Sequence, residues 1–153
     1  MNFDLAMRYF AALDTGEFED ALQRILEKGR TFQAVQSLKD WQGVSGVYVL
    51  VFDEYRQFYV GKANNIRKRV RDHWVSRKPF DRLLFGSHYE SVFPVDELRA
   101  LDTTRIYAAR SKNPFGLEER VEKVGDPRFS LNRTWGGEPS TLQLVSPRRH
   151  RYL

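Results

Sequence analysis

The chain has 153 residues, enough for one domain with its own core, and its content of 41% hydrophobic and 14% aromatic residues excludes wholesale disorder. It has no cysteine, which excludes disulfides and thiolate metal sites. The formal net charge of +5 fits a polyanionic partner such as nucleic acid. No long apolar run and no export signal are present in the sequence, so we expect a cytoplasmic protein with no membrane partner.

The first part of the chain, residues 1–43, has helical spacing. Hydrophobic residues recur every three or four positions over 3–13 and again over 18–26, which predicts two helices. Gly29 is a typical helix end, and a third short helix is predicted over 31–41. We expect this N-terminal helical extension to pack on the core, with a dimerisation or DNA-contacting arm as the alternative.

The middle of the chain predicts a small sheet. Two β-branched and aromatic runs, at 46–52 and 57–63, are typical of a hairpin. A third strand is predicted at 88–95, whereas 105–110 is compatible with either a helix or a strand. The pattern at 114–124 predicts another helix, which begins with a proline. The fold class is therefore α/β (α+β), with a three-stranded mixed or antiparallel sheet flanked by helices.

The hairpin and its helices define a domain over 44–137, followed by a basic tail at 138–153.

Directly after the hairpin the hydrophobic period changes to that of a helix. Ile66, Val70 and Trp74 fall on one face at roughly 100° per residue. Arg69 and His73, four residues apart, share the flank of this apolar stripe. A side chain on that flank can be half buried and still point into a cleft.

The first strand of the hairpin contains Gly46-Val47-Tyr48 and the second contains Tyr59-Val60-Gly61. These tripeptides, followed by Arg69 and His73, resemble the GIY-YIG nuclease superfamily. Gly46-Val47-Tyr48 is similar to the first tripeptide of that family and Tyr59-Val60-Gly61 to the second, each with valine in place of isoleucine. The resemblance covers residues 46–132. The matching positions that follow the tripeptides are Arg69, His73, Glu118 and Asn132.

The resemblance implies a metal-dependent endonuclease that hydrolyses DNA phosphodiester bonds with water as nucleophile. Tyr48 would activate the water, and Tyr59 would lie in the same cleft. Arg69 would bind the phosphate, since a guanidinium is planar and permanently charged. His73 would orient a hydroxyl or the water, or relay a proton. The alternatives are a nucleic-acid-binding module that does not cleave and a structural or interaction domain.

The later part of the resemblance implies a metal site. Glu118 would supply one carboxylate to Mg²⁺ or Mn²⁺, with Glu119 as the alternative ligand. Family members carry an apolar residue four positions after this glutamate, whereas this chain has Glu122. Asn132 is expected to be either an amide that positions the site or a turn residue.

Basic residues beside the predicted site are candidate contacts to the DNA backbone. Such contacts position a duplex without reading its sequence. Double-stranded DNA is the expected partner in preference to single-stranded DNA, and a homodimer is one arrangement that supplies two active sites. The candidates near the site are Lys62, Arg67, Lys68 and Arg71, with further basic residues at Arg77, Lys78, Arg148, Arg149 and Arg151.

Overall fold

A computed structural model describes residues 3–75 and 102–132. The strand predicted at 88–95, the basic pair at 77–78 and the tail at 138–153 lie outside the described residues. The helices are α1 (Phe3–Ala12), α2 (Thr15–Gly29), α3 (Ile66–Val75) and α4 (Pro114–Glu122). The strands are β1 (Gln33–Ala34), β2 (Gly46–Phe52), β3 (Gln57–Ala63) and β4 (Arg105–Arg110).

The described strands form one sheet of four in the order β1-β4-β2-β3, and each neighbouring pair is antiparallel. The prediction of three strands was therefore wrong in number. The ambiguous segment 105–110 is a strand, because it hydrogen-bonds on one side to β2 and on the other to β1. The protein is thus a mixed α and β structure with an antiparallel sheet.

The third helix predicted over 31–41 is also wrong. Gln33 and Ala34 form the edge strand β1, and the next amide, that of Val35, donates to the carbonyl of Ile106 at 2.8 Å. A short 3₁₀ helix follows at Leu38–Trp41. The spacing of the apolar residues suited a helix, but pairing with β4 satisfies the backbone groups of this segment and outweighs that local preference.

The hairpin of β2 and β3 is confirmed, and its register decides which side chains meet. Tyr48 lies opposite Gly61, and Leu50 lies opposite Tyr59. Residues directly opposite each other in an antiparallel pair share a face of the sheet, as do alternate residues of one strand. Both tyrosines and Gly61 therefore lie on the same face.

Helices cover both faces of the sheet. On the tyrosine face, Ile66 and Val70 of α3 pack with Phe10 of α1. On the opposite face, α2 and α4 contribute Phe18 and Leu117 to a second buried cluster. Every residue of β2 is buried, as expected for a strand covered on two sides.

The two helices predicted at the N-terminus are confirmed, and they contact the hairpin directly. Asp14 caps α2 by accepting a hydrogen bond from the amide of Glu17 at 2.8 Å. Arg56, in the hairpin connection, donates to the carbonyl of Phe10 at 3.0 Å and to the hydroxyl of Thr15 at 2.9 Å. The turn between α1 and α2 is thereby fastened to the turn end of the sheet.

Candidate active site

The two tyrosine rings lie side by side on one face of the hairpin. The ring centroids of Tyr48 and Tyr59 are 6.3 Å apart. A Cβ atom at Gly61 would lie 2.5 Å from both Cζ and the hydroxyl oxygen of Tyr48, which is far inside van der Waals contact. Glycine at this position therefore leaves the space that the Tyr48 ring and hydroxyl occupy.

His73 lies against both tyrosines. The α3 helix starts after Asn65, whose side chain accepts from the amide of Lys68 at 3.1 Å. Two turns later the imidazole of His73 is 5% exposed, and its Nε2 is 2.7 Å from the Tyr48 hydroxyl. The centroids of the His73 and Tyr59 rings are 5.4 Å apart in an edge-to-face arrangement. The buried imidazole is thus within hydrogen-bond distance of the Tyr48 phenol.

Arg69 reaches the same hydroxyl from one turn earlier on α3. The residue is exposed, and its guanidinium hydrogen-bonds the Tyr48 hydroxyl. A guanidinium can only donate, so the phenol oxygen accepts from Arg69 and its own proton is free to point at Nε2 of His73. The Tyr48 hydroxyl is therefore held between a permanent cation and a group that can take up a proton.

The environment of Tyr48 favours its neutral form. Burial is the largest cause, and together with the nearby Tyr59 hydroxyl and the Glu118 carboxylate it raises the pKa of Tyr48 well above the ordinary value of 10.0. The charge of Arg69 and its hydrogen bond oppose this by lowering the pKa. The net result is a phenol that keeps its proton at neutral pH.

Glu118 is placed at the edge of the sheet beside β3. Leu117 and Val121 point into the core, which turns the next position of α4 towards the strand. The Glu118 side chain is only 14% exposed and forms an ion pair with Lys62. Glu119 instead pairs with Lys123 at 2.8 Å on the exposed side of the helix. Of the two candidate ligands, Glu118 is the one that lies near Tyr48.

Asn132 lies behind the site and binds the backbone of β3. Its Oδ1 accepts from the amide of Val60 at 2.8 Å, and its Nδ2 donates to the carbonyl of the same residue at 2.6 Å. The Nδ2 also donates to Glu122 Oε1 at 2.6 Å. Val60 directly precedes Gly61, so this amide holds the part of β3 against which the Tyr48 ring lies.

Glu122 is a neighbour of the site that the sequence analysis noted only as a departure from a pattern. It lies one turn after Glu118, and partial burial together with the charge of Glu118 raises its pKa. Asn132 and Lys62 lower the pKa of Glu122. The four-residue spacing on α4 is a signal that would have placed both carboxylates on one helix face.

Two carboxylates at this edge could hold a metal ion. Glu118 and Glu122 offer carboxylate oxygens, and Mg²⁺ takes one or two protein carboxylates together with waters and phosphate oxygens. Lys62 now supplies the positive charge beside Glu118. Within residues 3–75 and 102–132, no group of three or more histidine, aspartate and glutamate side chains could hold a metal ion.

The candidate backbone contacts differ in their surroundings. Lys62 is paired with Glu118, and its Nζ lies 4.9 Å from the ring centroid of Phe115. The guanidinium of Arg67 donates to Gln42 Oε1 at 3.2 Å. Lys68 and Arg71 are exposed on α3. Positive side chains therefore extend from the Tyr48 hydroxyl along the exposed side of this helix.

No protein-family model, curated protein or solved structure matches this chain significantly. Across the described parts of the chain, no helix is long and apolar enough to cross a lipid bilayer.

Proposed function

We propose that this protein is a metal-dependent endonuclease of the GIY-YIG type, which hydrolyses DNA phosphodiester bonds with water as nucleophile. The proposal rests on the position of the Tyr48 hydroxyl, which lies 2.7 Å from His73 Nε2 and accepts a hydrogen bond from Arg69. Glu118 lies close enough for its charge to act on the same phenol. This hydrolysis needs a hydrogen-bond donor that binds the phosphate, a group that relays the proton and a carboxylate that holds the metal ion.

Proton removal from water is best assigned to Tyr48 and His73 together. Ionising an ordinary phenol at pH 7 costs about 4 kcal/mol, and burial makes Tyr48 harder still to ionise. In a concerted step, the Tyr48 oxygen takes a proton from water while its own proton moves to His73 Nε2. The phenol stays neutral throughout, and the imidazole ends with the positive charge.

Arg69 binds and orients the phosphate that the water attacks. Its guanidinium is exposed and holds several donors in one plane, so it can contact a phosphate oxygen while it bonds the phenol. The new bond forms between the water oxygen and phosphorus, and the bond from phosphorus to the 3′ oxygen breaks. Negative charge grows on the phosphate oxygens in this step, and Arg69 stabilises it.

Glu118 would hold the metal ion, with Glu122 one turn away on the same helix. The bound ion would supply charge neutralisation at the leaving 3′ oxygen. Lys62 binds the same carboxylate in this structure, so its ammonium group would move when a metal ion binds. Asn132 has the positioning role, because it binds both the β3 backbone and Glu122.

The first test compares two adjacent glutamates on α4. We expect Glu118→Gln to lower the rate of Mg²⁺-dependent plasmid nicking at least about 10-fold, the lower end of the effect for residues that merely support a metal ligand. Higher Mg²⁺ should partly restore the rate, since the loss is in metal affinity. Glu119→Gln is the matched control and should cleave normally, because Glu119 faces solvent. Equal rates for Glu118→Gln and Glu119→Gln would refute the metal assignment.

The second test is the pH dependence of single-turnover cleavage at saturating Mg²⁺. The raised pKa of Tyr48 keeps the phenol neutral up to about pH 9, so no tenfold rise per pH unit is expected on the alkaline side. Such a rise, present in the wild type and abolished in Tyr48→Phe, would show that the ionised phenol is the base.

The Lys62–Glu118 ion pair favours one alternative, a module that binds nucleic acid without cleaving it. In that case the ammonium group occupies the place of the metal ion permanently. This alternative predicts a gel shift with DNA but no Mg²⁺-dependent product, whereas the endonuclease gives both.

A further inference from the structure

Two arginines at the turn end of the sheet, Arg105 and Arg128, are neutralised by carboxylates. Arg105, at the start of β4, pairs with Asp53 and with Glu19. Arg128 pairs with Glu17 and Asp126 in the same region. These arginines fasten helices and turns to the sheet, and little of their charge is left for an external anion.

Arg110, at the other end of β4, is held differently. It lies opposite Gly46, so its side chain is on the same face as Ala108 and as Tyr48, which is opposite Ala108. Arg110 is two residues from Ala108 along β4, so its position and that of Tyr48 are offset by roughly 7 Å in the strand direction. The residue is exposed, and its guanidinium lies 5.2 Å from the ring centroid of Trp41. Among the described residues, no carboxylate pairs with Arg110.

Arg67 also contacts the segment that contains Trp41. Its guanidinium donates to the side chain of Gln42 at 3.2 Å. The segment from Trp41 to Ser45 is fastened to both neighbours, because the amide of Ile66 donates to Val44 O and the amide of Ser111 donates to Ser45 O, each at 3.0 Å. Arg110 and Arg67 therefore contact the same connection, which is hydrogen-bonded both to the start of α3 and to the residue after β4.

The partners of these two arginines are neutral. An indole ring and a side-chain amide orient a guanidinium without cancelling its charge, whereas a carboxylate would cancel it. A planar donor held in this way loses less conformational entropy when it binds a phosphate. The contrast with Arg105 and Arg128 indicates a surface arranged for an external anion and not for internal ion pairs.

We infer that Arg110 and Arg67 form a phosphate-binding pair that holds the nucleic-acid backbone next to the phosphate at Tyr48. The position relative to the cleaved bond rests on the proposed function, whereas the binding itself does not. The ligand is the phosphodiester backbone, so the pair adds affinity and orientation without reading sequence. Arg110 is not a candidate from the sequence alone, because the segment 105–110 is compatible with either a helix or a strand and the face of Arg110 is then undefined.

Affinity for a labelled DNA duplex, measured with the full chain in EDTA over a series of salt concentrations, tests this pair without any cleavage. Each of Arg110→Gln and Arg67→Gln should reduce the slope of log K against log salt by about 0.9. If each variant binds as tightly as the wild type at 1 M salt, this change in slope corresponds to about an eightfold loss of affinity at 0.1 M salt. Arg110→Lys should lose less, because it keeps the charge but not the planar donor.

Lys28→Gln is the matched control, since Lys28 is an exposed cation on α2, which covers the opposite face of the sheet. Thermal melting of each variant checks that the fold is retained. Arginine variants that bind like Lys28→Gln, or a wild-type chain that binds no DNA, would overturn the inference. Normal wild-type binding with no Mg²⁺-dependent product would instead overturn the proposed endonuclease and leave the phosphate-binding pair in place.

Discussion

Arg69→Ala is expected to lower the single-turnover rate of DNA cleavage by about 10²- to 10³-fold, the effect of removing one preorganised donor from a developing negative charge. Arg69 acts at two points, since it hydrogen-bonds the Tyr48 hydroxyl and its exposed guanidinium is available to the phosphate. Removing it also leaves burial and the nearby Tyr59 and Glu118 unopposed, so the pKa of Tyr48 rises further.

The controls for this experiment separate catalysis from binding. Arg24→Ala removes an exposed arginine of α2, whose guanidinium donates to the carbonyl of Asp20 at 3.3 Å on its own helix, and should leave the rate unchanged. Arg69→Lys keeps a cation but loses the planar set of donors, so it should restore only part of the rate. DNA affinity is measured in parallel at each variant. Cleavage by Arg69→Ala at the wild-type rate would eliminate Arg69 from the mechanism.

Tyr48→Phe is expected to lower the cleavage rate by about 10²- to 10⁴-fold, the range for general acid–base groups. The substitution removes the oxygen that links Arg69 to His73 and keeps the ring that fills the space above Gly61. His73 Nε2 loses this hydrogen bond, at a cost of about 1 kcal/mol. Phenylalanine has no hydroxyl to desolvate when it is buried, so the loss of this desolvation cost offsets part of the loss in stability.

Tyr55→Phe is the matched control for Tyr48→Phe. Its hydroxyl donates to Asp102 at 3.2 Å at the turn end of the sheet, away from the site. It should retain full cleavage, with a small loss of thermal stability. If both variants cleave at the wild-type rate, the phenol of Tyr48 takes no part in proton transfer, and the relay through His73 is wrong.

The elements with strong local patterns were predicted correctly. The hairpin at 46–63 combines β-branched and aromatic runs with a polar connection, and the helix that starts at Ile66 has a clear apolar stripe. The edge strand β1 was missed, and β4 stayed ambiguous. Both depend on partners distant in sequence, because β1 is held by β4 and β4 by β2. A window of a few residues contains no information about such a partner.

In the candidate site, too, the sequence predicts some features and the tertiary structure decides others. The residue types and their order suggest which side chains carry the chemistry, with Glu118 as the expected metal ligand and Glu119 as the alternative. The helix face that packs on the sheet separates them, since Glu118 turns to Lys62 and Glu119 to Lys123. Arg110 could not be placed at all before β4 was known to be a strand. The amide of Asn132 is used by the β3 backbone, which no sequence pattern indicated.

The sequence by itself determined which segments are helical or extended along most of the described chain, because a hydrophobic period acts between residues that are close in the chain. It also determined the inventory of phenols, imidazole, guanidinium and carboxylates. Only the tertiary structure decided which of these groups touch. Strand register put Gly61 under the Tyr48 ring, and the packing of α3 and α4 on opposite faces brought His73 to the phenol and Glu118 to the sheet edge. Contacts of this kind depend on long-range packing free energy, which no local stretch of the chain contains.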